Sequence, residues 1–522
     1  MKLSMTRGAV MAASALGALL GAAERADAFC GFYVGGATSE MFNNATQVVL
    51  MRQGTTTVLS MQNNYQGPPE GFALVVPVPV VINKEQVKTL PRELFSKVDT
   101  LGAPRLVEYW EQDPCRQLYP MEDVEMVRVT ESVEEEPADE SSDEEEYHVK
   151  VEARFSVEEY DVVVLSATES TGLDRWLRDN RYQIPKGAEP LLRPYIAAGT
   201  KFFVAKVDPK KVTFENGMAT LSPLRFQYDS PEFALPIRLG MANSSGTQDL
   251  IVNILAPQRY EVANYPNVAI PTNLIVRDPV RTRFAEFYAA LFDETLKKAP
   301  GAVVTEYAWD SGSCDPCPGP TLAPDDLATL GADVIASTYQ DANPYALTLT
   351  RLHARYGKDL SDDLVFRAVG ALEGGRGVPG PQGELSMAVR YDSGVSNFQG
   401  RYVILHPWTG SITCASPSRG EWGGPPSDVL MADPALAAGA QPKAATNLAF
   451  APRGNVNLAE VVAVDVPQVG VLASSSAPLL PPLQRRRGCA CDSGGGAGGA
   501  AGAAALTLLA MLGWRRRRGA VR

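Results

Sequence analysis

Two apolar segments, one at each end of the chain, limit where the rest of it can fold. The first segment has basic residues at Lys2 and Arg7, an apolar stretch over 8–23, and an Ala-Asp-Ala motif that ends at Ala28. This order is typical of a secretory signal peptide, which signal peptidase would remove by cutting after Ala28. The sequence therefore predicts a signal peptide over 1–28 and an exported remainder. An uncleaved anchor is the alternative.

The other end of the chain combines three features. Cys489 and Cys491 precede 21 residues without a charge, 494–514, and four arginines follow that stretch. About 20 apolar residues span a bilayer, and a basic cluster beside the span stays on the cytoplasmic side. The sequence therefore predicts a transmembrane segment over 494–514 and a basic cytoplasmic tail over 515–522. The chain between the two ends is expected outside the cytoplasm.

The C-terminal apolar stretch is weak, because its first half is almost entirely Gly and Ala. A weak span suits a sorting tag better than a permanent anchor. The order of cysteine motif, apolar stretch and arginine cluster resembles the myxobacterial-type C-terminal sorting signal. This resemblance implies a sortase-like membrane protease as a partner during maturation, with Cys489 or Cys491 as the processing or lipid-attachment site. A simple single-pass tail anchor is the alternative.

The acidic charge of the chain excludes one class of partner. The net charge is −12 over 522 residues, and most of the basic residues at the two ends lie outside the exported domain, so that domain is more acidic still and repels nucleic-acid phosphates. We therefore expect no nucleic-acid partner. Ten of the sixteen residues of 131–146 are Asp or Glu. Because like charges at this density repel one another, the segment is predicted to be a disordered acidic insertion.

Between the two ends, the apolar residues follow both strand and helix periodicities. Strands are predicted over 47–51, 55–61, 71–80, 148–157, 161–165, 201–207, 224–227, 233–239 and 250–255. Helices are predicted over 172–181, from Asp278-Pro279 onward, near Pro324, and over 344–356. Strands and helices do not alternate regularly, and no internal repeat is visible. The predicted fold class is α+β, with mixed, largely antiparallel sheets, several packed helices and no repeat architecture.

These elements define one exported globular domain over 29–425. After Pro425 the composition loosens, and 426–470 is predicted to be a loosely packed C-terminal extension. Residues 471–493 are rich in Ser and Pro before the cysteine motif, which is typical of a linker.

The three histidines belong to no recognisable catalytic motif. His148, His353 and His406 have no nucleophile motif beside them. The Gly-x-Ser-x-Gly elbow, the two-histidine zinc motif and the phosphate-binding loop are also absent from the sequence. The sequence therefore predicts no catalytic, metal-binding or cofactor-binding residues and no cofactor. Each histidine is expected to have a structural role.

Five cysteines lie between the two processed ends: Cys30, Cys115, Cys314, Cys317 and Cys414. Cysteines outside the cytoplasm tend to form disulfides. Cys314 and Cys317 have the spacing of half a zinc site, but no second pair completes one. Their motif continues into a Pro-rich loop, whereas a redox motif opens a helix. A local disulfide is predicted, with a redox site or free thiols as alternatives, and the pairing of the other three is left open.

Several segments together resemble a family of exported bacterial proteins called domain of unknown function 2330. The segments are 29–34, 71–79, 176–185, 345–357 and 406–408. The resemblance covers residues 29 to about 425, and it implies no activity and no site residues.

Two functional hypotheses follow. The first is a surface- or envelope-anchored protein with a binding or structural role, whose partner is an unknown envelope component. The alternative is an extracytoplasmic hydrolase with a carboxylate-based site that residue spacing cannot reveal. A deep pocket with two shielded carboxylates would favour the hydrolase, and shallow grooves would favour binding.

Overall fold

A computed structural model describes most of the predicted globular domain. The described residues are 32–35, 46–62, 65–66, 72–115, 149–180, 182, 184, 187–215, 218–243, 247–336, 343–357, 361–426, 442–446, 451–475 and 478–482. Several predictions lie outside them: the signal peptide with Ala28, Cys30, the acidic insertion, His148, Cys489, Cys491, and the transmembrane segment with its tail.

The described chain forms strands, helices and single helical turns. The strands are β1 (Phe32–Gly35), β2 (Thr46–Gln53), β3 (Thr56–Gln62), β4 (Tyr65–Gln66), β5 (Phe72–Val78), β6 (Val87–Thr89), β7 (Arg105–Glu111), β8 (Val149–Val157), β9 (Tyr160–Ala167), β10 (Lys201–Val207), β11 (Thr213–Glu215), β12 (Met218–Thr220), β13 (Leu224–Asp229), β14 (Ala234–Leu235), β15 (Gln248–Ala256), β16 (Arg259–Val262), β17 (Asn267–Ala269), β18 (Leu274–Ile275), β19 (Val303–Asp310), β20 (Thr348–Tyr356), β21 (Leu364–Val369), β22 (Ala371–Gly374), β23 (Arg390–Ser393), β24 (Asn397–Gln399), β25 (Arg401–His406), β26 (Trp422–Gly423) and β27 (Lys443–Ala444).

The α-helices are α1 (Arg92–Gly102), α2 (Ser170–Asp179), α3 (Ala188–Ala197), α4 (Phe284–Lys298), α5 (Pro324–Leu327), α6 (Asp333–Ile335) and α7 (Leu458–Val461). A π-helical turn, Ala328–Ala332, joins α5 to α6. The 3₁₀ turns are Lys84–Gln86, Pro209–Lys211, Arg238–Asn243, Asp278–Arg281 and Pro344–Ala346.

The strands form three larger sheets and two small ones. The largest has eleven strands in the order β23-β22-β24-β19-β20-β15-β2-β3-β13-β6, with β17 beside β19. A second sheet runs β1-β5-β10-β9-β8, and a third runs β18-β25-β7-β26 with β27 beside β7. The small sheets are β14-β21-β16 and β11-β12-β4. Most strand pairs are antiparallel, while β15–β2 and β25–β7 are parallel. The predicted α+β fold class is confirmed.

The centre of the largest sheet is buried on both faces. Val48 and Leu50 of β2 face a core shared with β5, β9 and β10 of the second sheet. Val49 and Met51 point the other way, into a core that includes Phe95 of α1. Successive side chains of a strand point to opposite faces, so a strand covered on both sides reads as a continuous apolar run. The helices α2 and α3 cover the outer face of the second sheet.

The helix α4 organises a further core, which includes part of the predicted extension. Phe287 and Leu291 lie in the same buried cluster as Val462, Val466 and Val469, each of which is at most 3% exposed. These residues of the predicted extension therefore belong to the core of the main body.

One predicted helix is a strand. Most of the segment predicted as a helix over 344–356 forms β20, which pairs with β15 on one side and β19 on the other. Tyr345, Leu349 and Leu352 have a spacing compatible with a helix, but pairing on both sides satisfies the backbone of this segment and overrides that local preference. The helix expected from Asp278 begins instead as a 3₁₀ turn, and α4 starts at Phe284. Helices α1 and α3 were not predicted from the sequence.

Candidate functional site

Two adjacent open cavities form a groove beside the edge of the largest sheet. The cavities have volumes of about 630 and 430 Å³, within the range of about 300–1,000 Å³ that is usual for ligand sites. Both are lined by Arg259, Val369, Gly370 and Ala371. Because they share these residues, we treat them as one surface and call it the tyrosine groove.

Separate parts of the chain build this groove. In the small sheet, β16 pairs with β21 so that Arg259 lies opposite Val369. The chain then passes through Gly370 into β22, which pairs with the edge strand β23 and places Tyr391 opposite Leu372. The 3₁₀ turn Pro344–Ala346 supplies the far wall. Its first residues are fixed because Asn343 Oδ1 accepts a hydrogen bond from the Tyr345 backbone N–H, at 3.1 Å.

The groove concentrates exposed apolar side chains. Among the described residues, Tyr345, Tyr391 and Val395 are 59%, 54% and 62% exposed, and they account for half of the large hydrophobic side chains that are exposed. Tyr345 and Val395 line the larger cavity, and Tyr391 lines the smaller one. Single exposed apolar residues are common, but several gathered along one groove mark an interaction surface.

The Tyr345 ring packs closely against the backbone at Gly312. A methyl group added at Gly312 would lie 3.0 Å from both the Tyr345 ring and the Pro344 ring. This distance is tighter than usual for carbon atoms that are not bonded, so a side chain at position 312 would press on both rings.

Arg259 lies where the two cavities meet. Its side chain is only 4% exposed, and its Nε donates to the Gly370 carbonyl oxygen at 2.8 Å. Its Nη1 donates to Glu261 Oε1 at 2.7 Å. These two bonds fix the plane of the guanidinium group, which then needs little further ordering when it binds a ligand.

Asp310 adds an acceptor to the larger cavity. Its Oδ2 accepts a hydrogen bond from Ser313 Oγ at 2.5 Å, whereas its buried Oδ1 has no partner among the described residues. A buried polar atom without a partner costs stability, so such atoms need an explanation. The groove thus combines two exposed aromatic rings, a fixed guanidinium and a carboxylate.

A second polar cluster surrounds His353, which lies on β20 and not on a helix. His353 Nδ1 lies 2.6 Å from Glu306 Oε1, and its Nε2 lies 3.1 Å from Asp249 Oδ1. Glu306 also accepts hydrogen bonds from Tyr288 and Arg351, at 2.6 and 2.7 Å. The network continues through four further charged residues: Asp99, Asp293, Arg355 and Arg453. We call this set of residues the His353 network.

The charges of the His353 network balance one another. Burial alone would raise the pKa of Glu306, but the charges of His353 and Arg351 lower it to about 2. Burial alone would lower the pKa of His353, but the carboxylates of Glu306 and Asp249 raise it. With His353 protonated, four cations face four carboxylates. The network is therefore suited to holding strands and helices together.

His406 belongs to a separate pair on the third sheet. Its Nε2 lies 2.7 Å from Glu108 Oε2, and its ring stacks on Trp110 with 4.4 Å between the ring centres. Glu108 also binds Arg281 through two hydrogen bonds, at 2.9 and 2.7 Å. Burial raises the pKa of Glu108, but the hydrogen bonds from His406 and Arg281 outweigh it and lower that pKa.

The structure contains two disulfides among the described cysteines. Cys314 bonds to Cys317, forming the local pair that the sequence analysis expects, and Cys115 bonds to Cys414 across 299 residues. The second bond ties the end of β7 to the loop after β25. The sequence left that pairing open, because spacing alone does not show which distant cysteines meet.

The structure describes no arrangement of three or more His, Cys, Asp or Glu side chains that could hold a metal ion. Within the described part of the chain, no helix is both long and apolar enough to cross a membrane.

The groove residues are not recognisable from the sequence. Arg259, Tyr345 and Tyr391 come from distant segments, and each is an ordinary residue in its own sequence context. The same holds for Glu306 and Asp249 around His353. Only the tertiary structure brings these side chains together.

Comparison with known proteins places the chain in one family. The chain belongs to the family described as an uncharacterized protein conserved in bacteria, DUF2330, whose model matches residues 24–367. The predicted family resemblance is thereby confirmed over that range. No curated protein matches the chain, and no solved structure matches it. The resemblance to a C-terminal sorting signal stays a prediction.

Proposed function

We propose that this chain is an exported, envelope-anchored binding protein, and that the tyrosine groove binds an extended polysaccharide. The observation that carries the proposal is the clustering of Tyr345, Tyr391 and Val395 along two cavities that meet at Arg259. The apolar faces of sugar rings pack on exposed aromatic rings, and sugar hydroxyl groups pair with fixed donors and acceptors. Each cavity supplies one tyrosine, so one extended sugar chain would contact both.

The charges around the groove favour a neutral chain of sugars. Arg259 and Arg367 are offset by Glu261 and Asp310, so the groove carries little net charge. The chain as a whole carries −12, which disfavours a polyanion. The ligand class that fits is therefore an uncharged polysaccharide with exposed hydroxyl groups.

The electrostatics support binding over the alternative of a hydrolase. A carboxyl group that donates a proton in hydrolysis needs a raised pKa. Among the described carboxyl groups, the shifted pKa values are all lowered: Glu108, Glu111, Glu152, Glu189, Asp249 and Glu306. These groups have hydrogen-bonding or charged partners that stabilise the ionised form. Ion pairing suits them better than proton donation.

The proposed location rests on the two ends of the sequence and is consistent with the disulfides. Disulfides persist in oxidising compartments outside the cytoplasm. The test is a double substitution, Cys489→Ser with Cys491→Ser. We expect it to block processing by the sortase-like protease and to retain a heavier species in the inner membrane. Normal maturation and normal surface location of this variant would show that the cysteines are incidental.

The binding proposal is tested by co-sedimentation of the full-length protein with insoluble polysaccharides, namely peptidoglycan sacculi, chitin and cellulose. We expect the wild type to sediment with at least one of them. A variant with Tyr345→Ala and Tyr391→Ala should bind at least tenfold more weakly. The matched control is Val378→Ala, because Val378 is 69% exposed but does not line either cavity.

Three results would contradict the proposal. One is a wild-type protein that sediments with none of the three polysaccharides. Another is a double variant that binds as tightly as the wild type, which would place the binding surface elsewhere. Capture of unstructured peptides by the groove in place of sugars would also contradict the proposed ligand class.

A further inference from the structure

Two buried arginines lie side by side under the Cys314–Cys317 disulfide. Arg105 begins β7 and Arg401 begins β25, and the two residues are direct partners in the parallel register of these strands. Neighbouring strands are about 4.8 Å apart, and partners in register point to the same face. Arg105 is 0% exposed and Arg401 is 1% exposed. Two positive charges therefore lie close together inside the protein.

Neither arginine forms an ion pair with a described carboxylate. Arg105 donates to three backbone carbonyl groups, those of Pro316, Leu101 and Ala103, at 2.8, 2.6 and 3.4 Å. Arg401 donates to the neutral Asn273 Oδ1 at 2.8 Å and to the Tyr109 hydroxyl at 3.3 Å. By contrast, the neighbouring Arg351 binds the carboxylates of Glu306 and Asp99. A buried charge is costly unless an opposite charge accompanies it.

Both guanidinium groups keep a buried N–H that has no partner among the described residues. These are Arg105 Nε and Arg401 Nη2. Burial, opposed by Tyr307 and assisted by the nearby charges of Arg351 and Arg401, lowers the pKa of Arg105 to about 10. Burial also lowers the pKa of Arg401, and the nearby Tyr109 and Asp315 offset this only in part.

Gln399 contributes a third unpaired atom at the same place. Its Nε2 donates to the carbonyl oxygens of Gly375 and Asp315. Arg105 donates to the carbonyl oxygen of Pro316, which follows Asp315 in the Cys314–Cys317 loop. Gln399 and Arg105 thus lie next to each other beneath the loop. The buried Oε1 of Gln399 has no partner among the described residues, and it can only accept a hydrogen bond. The cluster offers two donors on cations and one neutral acceptor.

We propose that Arg105, Arg401 and Gln399 form a binding site for a small oxyanion that still carries a hydroxyl group, such as hydrogen phosphate. Its charged oxygens accept hydrogen bonds from Arg105 Nε and Arg401 Nη2. Its O–H donates to Gln399 Oε1. Planar guanidinium groups suit oxyanions of this kind. The Cys314–Cys317 loop covers the site, and the tyrosine groove takes no part in it.

The test is isothermal titration of the full-length protein with sodium phosphate, and separately with sodium sulfate at the same ionic strength. We expect saturable binding of phosphate. Sulfate carries no hydroxyl group at neutral pH, so we expect at least tenfold weaker binding. Arg401→Lys keeps a cation but removes the Nη2 donor, and it should weaken phosphate binding at least tenfold. Arg281→Lys is the matched control, because Arg281 is paired with Glu108 and should not affect the titration.

A milder variant covers the case in which Arg401→Lys does not fold. Tyr109→Phe removes only the hydroxyl group that positions Arg401 Nη1, and it should weaken phosphate binding severalfold. No saturable phosphate binding by the wild type would overturn the proposal. Equal binding of phosphate by the wild type and by the folded variants would overturn it as well. Equal binding of phosphate and sulfate would remove the role assigned to Gln399.

Discussion

The His353 network and the tyrosine groove both contain arginines on strands, but their hydrogen bonding differs. In the network, Arg351 is 1% exposed and binds the carboxylates of Asp99 and Glu306. His353 contacts Glu306 with one ring nitrogen and Asp249 with the other. In the groove, Arg259 binds one carboxylate and one carbonyl group beside exposed tyrosines. Residues whose charges are matched inside the protein contribute to folding. Exposed rings beside a guanidinium group that is already fixed are suited to a ligand.

The largest expected effect on stability comes from removing the carboxylate at the centre of the network. Glu306→Gln leaves Arg351 and His353 without their shared partner, and removing one member of a buried ion pair costs about 3–5 kcal/mol. Urea unfolding of the full-length protein measures this loss. Glu286→Gln is the control, because its pair with Arg283 is partly exposed and should contribute at most about 1 kcal/mol. Equal losses for both variants would mean that the network does not stabilise the fold.

Acid should destabilise the network through the same carboxylate. The pKa of Glu306 is lowered to about 2 in the folded protein, below its ordinary value near 4.5. A group with a depressed pKa stabilises the fold above its unfolded pKa, and this contribution is lost as pH falls through the folded value. We therefore expect the free energy of unfolding to decrease from about pH 4.5 toward pH 2. Glu306→Gln should show a shallower decrease, and identical slopes would contradict this assignment.

His353 should produce the opposite dependence at higher pH. Its pKa is raised in the folded protein, so its stabilising contribution is complete below the unfolded value of about 6.5. That contribution is lost as pH rises through the raised folded pKa. The difference in stability between the wild type and His353→Gln should therefore shrink as the pH is raised above neutrality. A difference that does not depend on pH would show that His353 is neutral in the network.

Substitutions in the tyrosine groove should have the smallest effect on stability. Tyr345 and Tyr391 are each more than half exposed, and surface substitutions usually change stability by no more than about 0.5 kcal/mol. Thermal unfolding of the variant with Tyr345→Ala and Tyr391→Ala should match the wild type within that range. A large loss would indicate that the rings are part of the core, and would remove the contrast between the two regions.

The sequence predicted the fold class but not the contacts that define either region. Apolar and polar residues alternate over 148–157, and residues 250–255 are mostly apolar. These two patterns identified β8 and β15, because each pattern extends along most of its strand. The segment over 344–356 was predicted as a helix and is largely β20. Its local pattern fits a helix, and only pairing with β15 and β19 makes it a strand.

The candidate sites were less predictable than the fold. The local pair Cys314 and Cys317 is visible from spacing, because two residues separate the cysteines. Arg259 and Tyr391 lie more than a hundred residues apart, and no local pattern relates them. Their proximity depends on how β16, β21 and β23 pair, which is a property of the whole sheet.

The most direct test of the binding role is a crystal structure of the protein with an oligosaccharide fragment of the polysaccharide that it sediments with. The expected result is a sugar chain that crosses Arg259, with one ring on Tyr345 and another on Tyr391. Arg259 should donate to a sugar oxygen while keeping its bonds to Gly370 and Glu261. An oligosaccharide bound away from both tyrosines would contradict the proposed role of the groove.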